Sequence, residues 1–247
     1  MGRITEAVKH ILIVNVLFFI ATQLLGDQMY AWFSLWFPKN EHFHLWQVVT
    51  HMFMHGGFMH ILFNMYALWA FGTPMEQMWG RNKFLFFYFS AGLGAALIHT
   101  LVNYYHFNSG MQALVEAGFD QTEILSVLAD GRYGVLWKTV LSESAMQNFL
   151  GSYISPAVGA SGAIYGVLVA FGMMFPNAEL MLLFFPIPIK AKYFIPGIII
   201  VDLFSGLSGT SIFGSGIAHF AHLGGALFGF IMVWYWKKNQ FKNNRWD

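Results

Sequence analysis

No cysteine occurs anywhere in the chain. That excludes a disulfide framework and thiolate chemistry at once. Charge is scarce as well. Asp, Glu, Lys and Arg make up 10% of the 247 residues, against about 25% in an average soluble domain. The net charge of +1 leaves no basic footprint for nucleic acid, and no nucleic-acid partner is expected. Internal repeats and low-complexity tracts are also missing. What fills the chain instead is apolar: 57% hydrophobic and 19% aromatic. This is a membrane composition, and the length suits one compact bundle over residues 1–247.

A membrane span needs about 20 mainly apolar residues. Six segments qualify, at about 8–26, 55–74, 84–105, 158–176, 193–208 and 217–236. The first is read as a retained span, because no A-x-A-like site follows its apolar run. The "MGRITE" start does not fit a myristoylation signal, since Thr5 stands out of place. The fifth segment is short and is interrupted by Pro196 and Asp202. With both termini cytoplasmic, Arg3, Lys9, Arg81, Lys83, Lys190, Lys192, Lys237, Lys238, Lys242 and Arg245 lie inside, and only Lys39, Arg132 and Lys138 lie outside. This is a strong positive-inside bias. Residues 106–157 carry too many polar groups to span. They are expected to form two short amphipathic helices on the outer face, broken at "DGRYG".

Polar residues inside spans are costly and point to function. Span two carries His51, His55, His60 and Asn64 at or near its start; span four begins with Ser161, and span six with His219 and His222. Counting from the inner ends at 1.5 Å per residue puts Ser161 and His222 roughly 21 Å up and His60 roughly 18 Å up. In a hydrocarbon core about 30 Å thick, one serine, one or two histidines and an asparagine therefore share a level on three parallel helices. His60 and Asn64 lie on one face at i,i+4, as do Ser161 and Tyr165. Gly162 with Gly166, and Gly225 with Gly229, are small-xxx-small pairs that let helices approach closely.

Each residue alone has an ordinary reading. Ser161 could be a packing serine in a glycine seam, His222 a helix-packing histidine, Asn64 helix glue and Tyr165 plain core. The soluble G-x-S-x-G elbow needs a strand-turn-helix context, which "GASGA" lacks. His51 and His55 have the spacing of a zinc motif, but Met52 stands where that motif has its glutamate, and no Asp or Glu nearby supplies a third ligand. The shared depth is what argues for a joint role.

The pattern strongly resembles the rhomboid intramembrane serine proteases. The resemblance rests on "HxxxHxxxxHxxxN" (His51 to Asn64), "GASGAIYG" (Gly159 to Gly166) and "AHLGGxxxG" (Ala221 to Gly229), in that order. It implies an all-α, six-transmembrane-helix bundle with N and C termini cytoplasmic. It implies Ser161 as nucleophile and His222 as general base in a water-filled cavity open to the outside. The Ser161 backbone N–H, with the side chains of His60 and Asn64, would form the oxyanion hole. Tyr165 would stack on His222, with Gly162, His55 and His51 in support, and Glu76 would match a structural acid at the cytoplasmic end. The family often has Trp-Arg in its first outer loop; here the pair is Trp46-Gln47.

The chemistry can be read on its own terms. A serine hydroxyl is a weak nucleophile until a base takes its proton, and His222 can do so near neutral pH. The nearest in-membrane carboxylate, Asp202, is on another span, so a Ser–His dyad is expected rather than a triad. The implied substrates are transmembrane proteins, and the implied setting is lipid, with the bacterial plasma membrane as the expected address. Two other classes stay open: a small transporter or channel with a polar midplane cluster, which should show inverted repeats or paired broken helices, and a rhomboid-like binder of membrane segments without activity. Because a substrate helix must enter sideways, span five and the glycine-rich loop at 205–216 are expected to be the gate, held shut by Phe194, Ile198 and Phe204. No metal or cofactor is expected. Hydrolytic activity should therefore survive a chelator, and a loss restored by added zinc would revive His51 and His55 as ligands.

Overall fold

The structure, a computed structural model, describes residues 3–182, 185–208 and 218–240. The chain begins with α1 (Glu6–Leu25), α2 (Asp27–Phe33) and a short α3 (Gln47–Thr50) that continues as a 3-10 turn at His51–Phe53. α4 (Phe58–Ala67) passes through a π-turn at Leu68–Gly72 into α5 (Thr73–Trp79). The segment expected as span two is thus one helical run that carries a π-turn, a feature common near functional sites. α6 (Arg81–Glu116) follows, then α7 (Gln121–Ala129), a 3-10 turn at Val135–Thr139, and α8 (Glu143–Ile154). α9 (Ser161–Met174) leads to the antiparallel hairpin β1 (Glu179–Leu182) and β2 (Phe185–Lys190), and α10 (Ala191–Ser208) and α11 (His219–Gln240) complete the chain. Among the described residues, α1, α6 and α10 are long and apolar enough to cross a membrane, and α9 is a shorter apolar helix.

α9 is the centre. Nine of its fourteen residues are buried, from Gly162 and Ala163 to Ala170 and Phe171, as befits a helix that is apolar all round. α6 and α11 flank it, and α10 packs on α9 and α11. Glycine and alanine set these distances. A methyl group on Gly225 would lie 1.8 Å from the Gly162 carbonyl oxygen, and one on Gly229 would lie 2.6 Å from the Gly166 Cα. On the α6 side, Ala95 and Ala91 close against Gly162 and Gly166. The two small-xxx-small pairs therefore face each other.

Several expectations need revision. α6 has 36 residues, about 54 Å at 1.5 Å per residue, and so runs beyond 105 through the first part of the 106–157 insertion. Two helices do follow, with the Asp130–Gly134 stretch between α7 and the 3-10 turn. They build a second core around the α6 extension, from Phe37, Phe107, Leu114, Ile124, Trp137 and Phe149. α7 is capped by the Asp120 side chain, which accepts from the Thr122 and Glu123 amides, and α8 by Ser142, which accepts from the Ala145 amide. The β1–β2 hairpin was not expected in an all-α chain; it falls in the proline-bearing stretch "FPIPIK", where missing amide donors disfavour helix. Part of the 205–216 loop lies outside the described residues.

Glu76 earns its burial. Its carboxylate accepts from the Ala7 amide at 2.8 Å and the Val8 amide at 2.9 Å, across 69 and 68 residues of sequence. A carboxylate at a helix N-terminus satisfies orphan donors and complements the helix dipole. Glu76→Ala should lower stability by about 1–3 kcal/mol. A melting temperature in detergent equal to that of the parent protein would contradict this.

Candidate active site

Ser161 opens α9, so its amide lies in a first turn that has no intrahelical acceptor. The approach is held by two backbone ties. Leu35 bridges Ala157, and the Gly159 amide donates to the His51 carbonyl at 2.9 Å. Gly159 has φ +124°, a conformation that favours glycine. Space demands glycine as well, since a methyl group there would lie 2.9 Å from His60 Nε2 and 3.5 Å from Ser161 Oγ. His60 and Ser161 thus border the same backbone.

His222 stands in the first turn of α11. Its Nε2 is 2.8 Å from Ser161 Oγ, and its ring stacks on Tyr165 with centroids 4.2 Å apart and planes 10° apart. The expectation that no acid is placed beside His222 is not met. Asp202 Oδ2 lies 3.2 Å from His222 Nδ1, and Asp202 Oδ1 lies 2.5 Å from His219 Nδ1. The reason is rotational. Axial counting shows depth, but only the packed helices show that α10 turns its one carboxylate toward α11.

Hydrogen-bond partners define the neutral tautomers. A carboxylate only accepts, so the proton of neutral His222 belongs on Nδ1, leaving Nε2 to accept from the Ser161 hydroxyl. At His60 the Gly56 amide donates to Nδ1 at 3.3 Å. The proton of neutral His60 therefore belongs on Nε2, the nitrogen beside Gly159. Asn64 is buried and donates from Nδ2 to the His60 carbonyl at 2.8 Å, which leaves one amide hydrogen for another acceptor. His55 is buried, edge-on to His60 at 5.0 Å, and its Nδ1 lies 3.3 Å from the Phe53 carbonyl oxygen. His51 Nδ1 donates to the Gln47 carbonyl at 2.8 Å. Among the described residues, no group of three or more His, Asp or Glu is arranged to hold a metal ion.

Two polar residues were missed. Gln47, in place of the family's arginine, is fully buried. Its Oε1 accepts from the Trp36 and His44 amides, and its Nε2 donates to the Ala31 and His42 carbonyls, so one amide ties the first loop together. The signal was present in its placement directly beside Trp46, but a glutamine has no charge to announce it. His99, on α6, joins His51 and Ser161 in lining a small cavity beside the serine. Of the expected gate residues, Phe194 and Ile198 pack partly buried against the core. Phe204 does not, being 59% exposed. Ile195, also on α10, is buried and sits over Gly172.

A family model for the rhomboid domain matches residues 42–239. The chain is 26% identical over 191 residues to the mitochondrial rhomboid protein 1 of Saccharomyces cerevisiae, covering 77% of this chain and 42% of that protein. It is 30% identical over 184 residues to the mitochondrial presenilin-associated rhomboid-like protein of Homo sapiens, covering 74% and 35%. A shorter match, 38% over 76 residues, is to the rhomboid protease GlpG of Salmonella choleraesuis, covering 30% of this chain and 28% of that protein. The chain spans well under half the length of these curated relatives.

Proposed function

The chain belongs to the rhomboid family, and from that premise we propose that it is an intramembrane serine endopeptidase that cuts peptide bonds in or near transmembrane segments of other proteins. The carrying observation is the 2.8 Å contact of Ser161 Oγ with His222 Nε2, together with a tautomer that makes Nε2 the acceptor. It is an integral, multi-pass membrane protein, with the bacterial plasma membrane as its proposed address. The proposed topology has six spans with both termini on the cytoplasmic side. Support comes from α1, α6 and α10, from the helical runs at 58–79, 161–174 and 219–240, and from the positive-inside bias. The proposed domain is the whole chain 1–247, with the 106–157 insertion on the outer face. α9 has 14 residues, about 21 Å, so Ser161 would lie some 10 Å below the surface of a core about 30 Å thick.

In the proposed reaction Ser161 Oγ attacks the scissile carbonyl carbon while its proton passes to His222 Nε2. The carbonyl becomes an oxyanion, facing the Ser161 N–H, His60 Nε2–H and the second Asn64 hydrogen. The intermediate collapses as the C–N bond breaks and the His222 proton goes to the leaving nitrogen, which departs as an amine. Water then attacks the ester, giving one proton to His222. Collapse releases the carboxylic acid and returns that proton to Ser161 Oγ. Net, one peptide bond and one water become an acid and an amine. Substrate helices would enter past α10, whose proline and single partly packed face suit a gate closed by Phe194, Ile195 and Ile198.

Incubation with single-span substrates, followed by mass determination of the cut ends, tests the proposal. Ser161→Ala and His222→Ala should each fall to background while still folding and inserting. Asn64→Ala should lose about 10–10³-fold in rate with little change in KM. Cleavage at the parent rate by the Ser161 or His222 variant would remove the proposal and leave the transporter and binder readings.

A further inference from the structure

Asp202 is a carboxylate buried in the part of the chain least able to hold one. It is 4% exposed, and a lone charge there would be costly. Both of its oxygens are engaged: Oδ1 by His219 Nδ1 at 2.5 Å, and Oδ2 by His222 Nδ1 at 3.2 Å. Both partners stand on α11, one of the two helices against which α10 packs.

Resting on the proposed protease reading, we propose that Asp202 is a positioning residue that orients His222 as the base for Ser161, with His219 holding the carboxylate in place. The carboxylate has no proton to give, so it selects the Nδ1–H form of His222 and leaves Nε2 free toward the serine. Two anchors restrict it. His219 and His222 are three residues apart on one face of α11, and the shared carboxylate spans their two Nδ1 atoms. When His222 takes the serine proton, the imidazolium that forms stands beside a negative charge. Asp202 itself neither gains nor loses a proton in the step. It is also the one carboxylate in α10. The base is therefore oriented only while α10 is seated against α9 and α11, which ties the chemistry to the helix proposed as the gate.

The test uses the full chain in detergent, with a transmembrane substrate and a small soluble ester that needs no lateral entry. Asp202→Asn should lower kcat on both substrates on the order of 10²–10⁴-fold, with KM nearly unchanged. The asparagine amide donates to Nδ1 and so drives the proton to Nε2. His219→Gln, which keeps a donor, should lose no more than about tenfold. Nitrogen-15 spectra of the imidazoles, with His222 assigned by its absence in His222→Ala, should show Nδ1–H in the parent protein. If Asp202→Asn fails to fold, that tautomer alone decides. An Nε2–H ring in the parent protein overturns the proposal. So does an Asp202→Asn variant that hydrolyses the ester at the parent rate, even if transmembrane cleavage changes, since Asp202 would then be only a latch on α10. Ser161→Ala, measured alongside, separates the two readings. Activity that survives in it removes the protease itself, whereas activity lost there and kept in Asp202→Asn removes only the role of Asp202.

Discussion

The backbones of α9 and α11 approach so closely at Gly162 and Gly225, and again at Gly166 and Gly229, that no side chain fits between them. Everything else at the site depends on that seam. It brings the first turn of α11 level with the first turn of α9, so His222 reaches Ser161 with one imidazole's length. It also leaves Tyr165, one turn further along, parallel to the His222 ring. In lipid such close contact is the available driving force, because lipid tails compete equally for apolar side chains.

Around the seam, each polar group is oriented by a partner whose role is fixed. Gly56 can only donate and so decides the His60 tautomer, while Asp202 can only accept and so decides that of His222. His51 offers its carbonyl to Gly159 and its Nδ1 to Gln47, joining the serine loop to the loop that Gln47 organises. At the far end, Glu76 ties α5 to the start of α1. Backbone groups are preferred partners here because they cannot change rotamer, and a preorganised site loses little in reorganising during reaction.

Depth along a helix is legible in a sequence, since it is counted at 1.5 Å per residue. That is why Ser161, His222, His60 and Asn64 could be grouped before any fold was known, and why the glycine pairs could be matched. Azimuth between helices is not legible in the same way. Asp202 was noticed as an interruption and dismissed as an orienting acid, because its facing depends on how α10 is rolled against α11. Phe204 was misplaced for the same reason. Gln47 was hidden by chemistry, as an amide with four or more partners looks like any other amide in one dimension. The α6 extension escaped because span counting stops where polarity rises, while a helix that finds a second core of its own, as at Phe107 and Leu114, continues.

The central claim is that the Ser161 hydroxyl is activated as a nucleophile by His222. Treatment of the purified protein with a fluorophosphonate, followed by peptide mass spectrometry, tests it most directly. The account predicts one adduct, on Ser161, that is absent when His222 is replaced by alanine. A protein that stays unlabelled, or an adduct on another residue that forms equally well without His222, would contradict it.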